Sequence, residues 1–427
     1  MNIETLHQLF LKYSSICTDT RTIKKNDLFF ALKGEHFNGN KFSENAILKG
    51  AKYAIVDEEE YDIDSNYILV DNVLNTLQQL AEYHRKFLNL KIIALTGSNG
   101  KTTTKELIKC VLQKKYKTVA TIGNLNNHIG VPLTLLSMDE ETEIGIIEMG
   151  ANHLHEIENL CKIAKPDYGY ITNFGKAHLE GFGSIEGVIK GKSELYNYLI
   201  KNNKLIFFNA EDPLQAKQLN EYNNLYIFGS STKANTTINL LEANPFVQVQ
   251  LNNQIIKSKL IGNYNYSNIS AAIAIGNYFN ISDSDIKSAI ETYKPKNNRS
   301  QIIVKKSNKI ILDAYNANPT SMQAALLNFE KQTSTFKTVI LGDMLELGNQ
   351  AKKEHQYIVD LVSTMLIDNV ILIGENFSKT KIVASKIIAF KSFENFKAEF
   401  EASEIKNSSI LIKGSRGMAL ERVLELI

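Results

Sequence analysis

The sequence has few cysteines and almost no net charge. Its three cysteines, Cys17, Cys110 and Cys161, lie far apart without the spacing of a disulfide framework or a metal site, which predicts a reducing compartment. Lys and Arg together number 48 and Asp and Glu 46, so the formal net charge is +2. This balance gives no indication of nucleic-acid binding or of an acidic scaffold.

Segments that direct a protein to or through a membrane are also lacking. The first residues, MNIETLHQLFLKYSS, have neither the cationic start nor the apolar core of a signal peptide. No uninterrupted apolar run approaches the roughly 18 residues that a membrane span requires. We therefore expect a cytoplasmic protein with no membrane span and no nucleic-acid partner.

What the chain does have is ample material for several cores. It contains 427 residues, of which 44% are hydrophobic and 22% charged, an ordinary globular balance. At about 150 residues per domain, this length predicts about three domains.

The first predicted unit, residues 1–88, is a small α/β domain. Short strands are predicted at 28–33, 53–56 and 67–70, between polar turns, and an amphipathic helix at 74–88. The second predicted unit, residues 89–297, has apolar runs at 91–96, 144–149, 167–173 and 204–212. Helical patterns start at 103, 153 and 185, and this alternation predicts a mostly parallel sheet covered on both faces.

The third predicted unit, residues 298–427, repeats a strand-like run four times, at 309–315, 338–344, 369–374 and 408–414. A helical pattern follows each run, which is the rhythm of a Rossmann-like domain. No Gly-x-Gly-x-x-Gly follows the first run, so a dinucleotide is not implied. The predicted fold class is therefore α/β in three domains.

The stretch TGSNGKTTTKE, residues 96–106, has the context of a phosphate-binding loop. A predicted strand precedes it, Gly97 and Gly100 form the turn, and a helix follows. The glycines let backbone N–H groups approach phosphates, and a helix N-terminus favours negative charge. Lys101 would then reach the β- and γ-phosphates, while the Thr102 hydroxyl would hold Mg²⁺. A strand–helix turn with a solvated lysine is the alternative.

The spacing within this loop departs from the common G-x-x-x-x-G-K-[ST] pattern, whose first glycine would fall at Leu95. T-G-S-N-G-K-T-T instead resembles the loop of the Mur ligase family, which begins with Thr-Gly. The resemblance implies that ATP is bound by Gly97, Ser98, Asn99, Gly100, Lys101, Thr102 and Thr103.

The resemblance extends to the N-terminal unit. Thr-Asp-Thr-Arg at 18–21, followed by DLFFALKGEHFNGNKF, resembles the uridine-nucleotide-binding start of the peptidoglycan-precursor ligases. It implies that Thr18, Thr20 and Arg21 bind the UDP-linked substrate, although the residues alone are equally those of a capped turn. Asn38 and Asn40 depart from the family, which often has Asp and His there.

The same resemblance implies metal ligands for two Mg²⁺ ions. Besides Thr102, these are Glu148 at the end of an apolar strand, His178, and Lys192 within GVIKGKSELY. Lys192 is implied to be carbamylated, because an unmodified lysine would repel Mg²⁺. Lys190, two residues away, is the alternative lysine and would point elsewhere on a helix.

Two further segments resemble the branch of the family that adds D-Ala-D-Ala. They are GNLNNHIGVPLTLL at 123–136, whose Asn126 and Asn127 would face the muropeptide, and LDAYNANPTSM at 312–322. The implied ATP contacts of the later part of the chain are Asn268, just before an Ala-rich helix, and Arg299, Asp313 and Tyr315. The segments LGDMLELG and KGSRGM add Asp343, Glu346 and Lys413 as interdomain or dipeptide contacts.

The reaction that the resemblance implies is an ATP-dependent, ADP-forming ligation. D-Ala-D-Ala would be joined to a UDP-N-acetylmuramoyl tripeptide through an acyl phosphate, with catalysis by Lys101, Glu148, His178, Lys192 and Arg299, and the protein would be a monomer. Two alternatives are a sister ligase that adds a single amino acid and a non-catalytic ATP-binding regulator, whose expected mark is the loss of metal ligands. The sequence contains no Ser-His-Asp or Cys-His signature.

Overall fold

The described part of the chain folds around three larger β-sheets flanked by helices. The computed structural model describes residues 1–13, 15–296, 298–400 and 405–427. None of the helices in these ranges combines the length and the apolar character that a membrane span requires. The helices are α1 Ile3–Tyr13, α2 Ser43–Leu48, α3 Val73–Leu88, α4 Lys101–Leu112, α5 Gly130–Leu136, α6 Glu156–Ala164, α7 Leu179–Phe182, α8 Ile185–Lys201, α9 Pro213–Leu219, α10 Tyr264–Tyr278, α11 Asp283–Thr292, α12 Pro319–Glu330, α13 Ala351–Thr364, α14 Glu375–Ser378 and α15 Phe393–Glu399.

The first sheet is small and parallel, in the order β1-β2-β5-β6. A separate two-stranded hairpin, β3-β4, lies within its connections. The strand predicted at 28–33 is shorter than expected: it ends at Phe30, and Lys33 belongs to the hairpin. The strands are β1 Ile16–Cys17, β2 Leu28–Phe30, β3 Lys33–Gly34, β4 Phe37–Asn38, β5 Tyr53–Val56 and β6 Tyr67–Leu69.

The second sheet has nine strands in the order β15-β14-β13-β12-β11-β10-β7-β9-β8. It is mostly parallel, as predicted, but β13, β14 and β15 pair antiparallel at one edge, which the sequence analysis missed. Buried and exposed residues alternate along β15, so this edge lacks the continuous apolar runs of the parallel strands. The strands are β7 Lys91–Thr96, β8 Thr118–Ala120, β9 Ile144–Glu148, β10 Tyr168–Ile171, β11 Leu205–Asn209, β12 Leu225–Gly229, β13 Thr236–Glu242, β14 Phe246–Leu251 and β15 Gln254–Ile261.

The third sheet has six strands in the order β16-β17-β21-β18-β19-β20, and only β16 runs antiparallel to its neighbour. All four predicted strands are present. The helix predicted after the last one is wrong: two short 3-10 helices, Arg416–Met418 and Leu420–Glu425, stand there, separated by Ala419 at φ +47°. The strands are β16 Gln301–Lys305, β17 Asn308–Asp313, β18 Lys337–Gly342, β19 Asn369–Ile373, β20 Ile387–Phe390 and β21 Ser409–Lys413.

The strands of the three sheets lie at 16–69, 91–261 and 301–413, inside the three predicted ranges. The division into domains at 1–88, 89–297 and 298–427 itself stays a prediction. Its second boundary residue, Asn297, lies outside the described residues.

A buried histidine pair joins the first unit to the second. His7 Nε2 on α1 lies 3.0 Å from His84 Nδ1 on α3, and His84 Nε2 lies 2.9 Å from the Met138 carbonyl oxygen. Burial, assisted by the neighbouring His84, lowers the pKa of His7 to about 4. Both rings are therefore packed as neutral groups at this contact.

Candidate active site

A large cleft runs between the predicted phosphate loop, residues 96–103, and the third sheet. Its volume is about 1120 Å³. The lining combines residues 98–103, the asparagine-rich loop before α5, the residues after β9, the start of α10 and the carboxyl ends of β17 and β21. The carboxyl ends of parallel strands are where ligands bind in open α/β sheets.

The phosphate loop requires glycine at two positions. Gly97 has φ +140° and Gly100 has φ +78°. A Cβ atom on Gly97 would lie 2.0 Å from Thr172 Oγ1, and one on Gly100 would lie 2.5 Å from Asn268 Oδ1. Glycine therefore permits both the backbone turn and the close approach of neighbouring elements.

The side chain of Lys101 folds back over this loop. Helix α4 begins at Lys101, two residues before the predicted start. Lys101 Nζ donates to the Gly97 carbonyl oxygen at 2.8 Å. Burial lowers the pKa of Lys101, and the charge of Glu148 opposes that shift. The ammonium group thus already lies above the turn in which a phosphate would be bound.

The buried carboxylate of Glu148 accepts hydrogen bonds from side chains of two other segments. Glu148 ends β9, which pairs in parallel with β7, and only 1% of its surface is exposed. Its Oε2 accepts a hydrogen bond from Thr102 Oγ1 at 2.9 Å, and its Oε1 accepts one from Asn126 Nδ2 at 2.9 Å. Glu148 is therefore in direct contact with two other residues that the family resemblance implied, from separate segments of the chain.

Lys105 is a member of this cluster that the sequence analysis missed. Its Nζ lies 3.7 Å from Glu148 Oε2. Burial lowers the pKa of Lys105, while Glu148 raises it. Lys105 lies three residues after Thr102 on one helix, and this spacing could have predicted that the two side chains share a helix face.

Asn127 also lines the cleft, but its side chain has a structural role as well. Its Oδ1 accepts hydrogen bonds from the backbone N–H groups of Gly130 at 2.9 Å and Ile129 at 3.2 Å. These bonds hold the start of α5 in place, as Asn commonly does at helix starts and turns.

His178 faces the third unit across the cleft. Its Nδ1 lies 2.5 Å from Glu346 Oε2, and both residues have left-handed backbone conformations, at φ +52° and +62°. This close contact with His178 lowers the pKa of Glu346. Glu346 of the third unit thus contacts His178 of the second unit, and its predicted role as an interdomain or dipeptide contact stays a prediction.

Lys192 is buried behind the cleft and does not line it. Its Nζ donates to the Ala151 carbonyl oxygen at 2.9 Å and lies 5.1 Å from the centroid of the Phe182 ring. Burial first, and then the charge of Lys101, lower the pKa of Lys192 well below its ordinary value. Lys190, on the other side of the helix, is exposed.

The His and acidic residues do not form a preassembled metal cage. Within the ranges that the structure describes, no group of three or more His, Cys, Asp or Glu side chains could hold a metal ion. Any metal bound here would need ligands of other kinds, such as the Thr102 hydroxyl, a carbamate or the phosphates of a nucleotide.

On the third-unit side, Arg299 stacks on Tyr315. The guanidinium carbon lies 3.7 Å from the centroid of the ring. The next residue, Ser300, donates its backbone N–H to Asp313 Oδ1 at 3.0 Å, and Lys413 Nζ lies 2.5 Å from Asp313 Oδ2. All five residues line the cleft.

The position of Asn268 relative to its helix differs from the prediction. Asn268 does not precede the helix but lies buried inside α10, which begins at Tyr264. Asn268 Oδ1 accepts from Thr104 Oγ1 at 3.0 Å, and its Nδ2 donates to Asn265 Oδ1 at 2.8 Å. The helix extends earlier because the polar residues of its first turns find partners there, which the Ala-rich pattern alone does not reveal.

The predicted uridine-binding residues do not line this cleft. Thr18, Thr20 and Arg21 lie in a separate turn, where Arg21 Nη2 is 2.6 Å from Asp19 Oδ2. The hydrogen bond from Arg21 lowers the pKa of Asp19 to about 2. Asn40, one of the departures from the family pattern, is buried and donates to Asp57 Oδ1 at 2.8 Å.

Asp343 also lies outside the set of cleft-lining residues. It is buried and accepts hydrogen bonds from the backbone N–H groups of Asn376 at 2.8 Å and Phe377 at 3.0 Å. Its carboxylate therefore holds the start of α14 rather than facing the cleft.

Two contacts that the sequence analysis missed hold the second and third units together. Asn318 Nδ2 donates to Asn99 Oδ1 of the phosphate loop at 2.8 Å. Lys176 Nζ lies 2.7 Å from Glu354 Oε1, whose side chain is almost fully buried. Asn318 lies within the segment 312–322 of the sequence analysis, but nothing in the sequence of that segment indicates that Asn318 contacts the phosphate loop.

Family models match most of the chain. The Mur ligase family catalytic domain matches residues 12–85, the Mur ligase middle domain matches 95–276, and the Mur ligase glutamate ligase domain matches 298–416.

Curated relatives and solved structures agree with these matches. The UDP-N-acetylmuramoyl-tripeptide–D-alanyl-D-alanine ligase of Bacillus subtilis (strain 168) is 35% identical, covering 96% of this chain and 92% of its own length. The ligase of the same name from Escherichia coli (strain K12) is 30% identical, covering 97% and 93%.

Crystal structure I of MurF from Acinetobacter baumannii superposes with a TM-score of 0.86 at 30% identity, covering 98% of this chain and 97% of that one. MurF ligase from Thermotoga maritima in complex with ADP has a TM-score of 0.84 at 28% identity, covering 97% of both chains. The chain is a ligase and belongs to the Mur ligase family.

Proposed function

We propose that this ligase joins D-Ala-D-Ala to a UDP-N-acetylmuramoyl tripeptide, with conversion of ATP to ADP and phosphate, in peptidoglycan-precursor synthesis. The proposal rests on one observation: Thr102 and Asn126 both donate hydrogen bonds to Glu148 beside the phosphate loop. Asp313 and Tyr315, from the segment that resembles the dipeptide-adding branch, line the same cleft. Relatives that bear this activity in their names match nearly the whole chain.

The chemistry needs activation, because a carboxylate has no adequate leaving group for attack by an amine. Transfer of the γ-phosphoryl group of ATP to the tripeptide carboxylate gives an acyl phosphate and ADP. The dipeptide amine then attacks the carbonyl carbon, loses a proton, and phosphate departs from the tetrahedral intermediate. Lys101 and Arg299, which both line the cleft, offset the negative charge of the phosphoryl group during transfer.

Mg²⁺ fits one part of this cleft by its ligand chemistry. Thr102 and Glu148 present a hydroxyl and a carboxylate oxygen 2.9 Å apart, next to the loop. Mg²⁺ usually binds through one or two carboxylates together with substrate phosphates, so this pair is sufficient on the protein side. When bound there, the metal would supply neutralisation of phosphate charge.

A second Mg²⁺ would be held by His178 and a carbamylated Lys192. The lowered pKa of Lys192, which burial causes, favours the neutral amine. That amine attacks the carbon of CO₂, an N–C bond forms, and one proton is lost, leaving an anionic carbamate. The carbamate would place an oxygen ligand at the end of the buried Lys192 side chain. That end lies next to Ala151, which lines the cleft.

The remaining predicted residues would bind substrates. Asn268, Arg299, Asp313 and Tyr315 would contact ATP, while Asn127 would face the muropeptide. Thr18, Thr20 and Arg21 would bind the uridine nucleotide, which requires that the Arg21 guanidinium exchange Asp19 for the substrate. We further infer that the protein acts on these small molecules as a cytoplasmic monomer.

The test is a phosphate-release assay with purified protein, ATP, the UDP-N-acetylmuramoyl tripeptide and D-Ala-D-Ala, omitting one component at a time. Phosphate release should require all four, and mass spectrometry should detect the pentapeptide product. Phosphate release with D-Ala alone in place of the dipeptide would identify a sister ligase. ATP binding without turnover under all conditions would support a non-catalytic regulator.

A further inference from the structure

Lys105 is a buried charge for which the proposed reaction has no use. It follows Thr102 by three residues and Lys101 by four on α4, so the three side chains share one helix face. Only 2% of Lys105 is exposed. Lysine is almost never buried to this extent without a partner.

The partner of Lys105 is Glu148. Its Nζ lies 3.7 Å from Glu148 Oε2, too far for a hydrogen bond but well within the range of charge attraction. In the described parts of the chain, Lys105 has no second carboxylate within 4.0 Å.

The other partners of Glu148 are neutral. They are the hydroxyl of Thr102 and the amide of Asn126, each donating to a different carboxylate oxygen. Among the residues that the structure describes, Lys105 is therefore the one full positive charge within 4.0 Å of this buried carboxylate. A carboxylate buried so deeply depends on such a charge and on its hydrogen bonds.

The same charge opposes a metal. Mg²⁺ bound to Glu148 and Thr102 would add two positive charges close to Lys105, and Lys101 and Arg299 line the same cleft. Like charges at this distance repel strongly where water is excluded. A nucleoside triphosphate brings several negative charges into the site, so that the net charge near Glu148 then favours binding of Mg²⁺.

Building on the proposed function, we propose that Lys105 is a positioning residue that holds Glu148 in place and makes metal binding depend on the nucleotide. Mg²⁺ binds weakly to the protein alone and tightly once the phosphates are present. The metal and ATP therefore enter the site together.

The test measures Mn²⁺ binding by the loss of the free-ion signal in electron paramagnetic resonance, with and without a non-hydrolysable ATP analogue. The variants are Lys105→Met, which keeps the aliphatic chain, and Lys105→Gln, which keeps a polar end. Lys109→Met is the matched control, because Lys109 lies one turn further along α4 and forms no ion pair with Glu148.

Without nucleotide, both Lys105 variants should bind Mn²⁺ at least about tenfold more tightly than the wild type. With the analogue, the difference should shrink to about threefold or less, and Lys109→Met should match the wild type throughout. In EDTA, Lys105→Met should melt at least about 2 °C below the wild type, because Glu148 then has no counter-charge. Mn²⁺ should recover most of that loss.

Equal Mn²⁺ affinity of wild type and both variants without nucleotide would overturn the inference, as would a difference that the analogue leaves unchanged. Failure of both variants to fold would equally reject it, because the role would then be that of a core residue. The metal titration uses neither the tripeptide nor the dipeptide, so it can be interpreted even if the wild type forms no product. Product formation with unaltered metal affinities would reject only the role of Lys105.

Discussion

Replacing Lys192 by methionine should abolish most of the activity while leaving the fold intact. Methionine retains the aliphatic stem that packs in this fully buried position, so unfolding free energy should fall by less than about 1.5 kcal/mol. It cannot form a carbamate. Because a fixed group that acts on the transition state typically contributes 10²–10³ in rate, kcat should drop by about that factor.

The matched control is Lys190→Met. Lys190 lies on the same helix but is exposed, so its replacement should change unfolding free energy by no more than about 0.5 kcal/mol and kcat by less than about threefold. Phosphate release measures activity, and thermal melting measures stability.

Lys192→Ala separates the carbamate from the packing. Truncation to alanine leaves a cavity and should reduce unfolding free energy by about 2–4 kcal/mol, but it also opens space for a small carboxylate. Formate or acetate should therefore partly restore activity to Lys192→Ala and not to Lys192→Met. Depleting CO₂ should inactivate the wild type, and bicarbonate should restore it.

Three outcomes would refute this reasoning. They are a larger loss in Lys190→Met than in Lys192→Met, retention of at least about a third of wild-type kcat by Lys192→Met, and wild-type activity that does not respond to CO₂. The first would show that the wrong lysine was chosen, and the others would remove the carbamate from the proposed site.

Lys101→Ala should be folded and inactive as a ligase, because the side chain lies over the loop rather than in a core; wild-type turnover would reject the loop assignment. D-Ala-D-Ala should be used at least about a hundredfold better than D-Ala in kcat/KM, since both present the same amine and only the dipeptide offers a second residue to bind; equal use would assign the chain to a sister ligase. The pKa of His7 is lowered to about 4 in the folded protein, so protons bind the unfolded chain first as the pH falls below about 6.5. Stability should therefore decline as the pH falls from about 6.5 to 4, and the decline should be shallower in His7→Leu; identical melting profiles against pH would show that the His7–His84 contact does not titrate.

The sequence was sufficient wherever the determining pattern is local. The phosphate loop needs a strand, two glycines and a helix start within about a dozen residues, and all of these occur in one segment. The contact of Glu148 with Thr102 was also within reach, because neighbouring parallel strands end at the same edge of a sheet. The preference for Lys192 over Lys190 came from the family resemblance and stays a prediction; in the structure Lys192 is buried and Lys190 is exposed.

Elements whose signal is weak or distant were missed. At the antiparallel edge, burial alternates along β14 and β15, and the last four residues of β13 are all exposed, so there is no long buried run. The first turns of α10, including Asn268, are polar, and their helical state depends on partners such as Thr104 from a distant segment. Periodicity within a short window cannot report either feature.

By itself, the sequence determined the α/β class, the loop and the residue types available for phosphate and metal chemistry. Only the tertiary structure decided which of those residues meet. Lys105 lies beside Glu148 because α4 packs beside β9. Glu346 contacts His178 because the third sheet faces the second. Asn318 reached the phosphate loop for the same reason. Contacts between residues tens to hundreds of positions apart depend on how whole sheets pack, and local spacing carries no record of that packing.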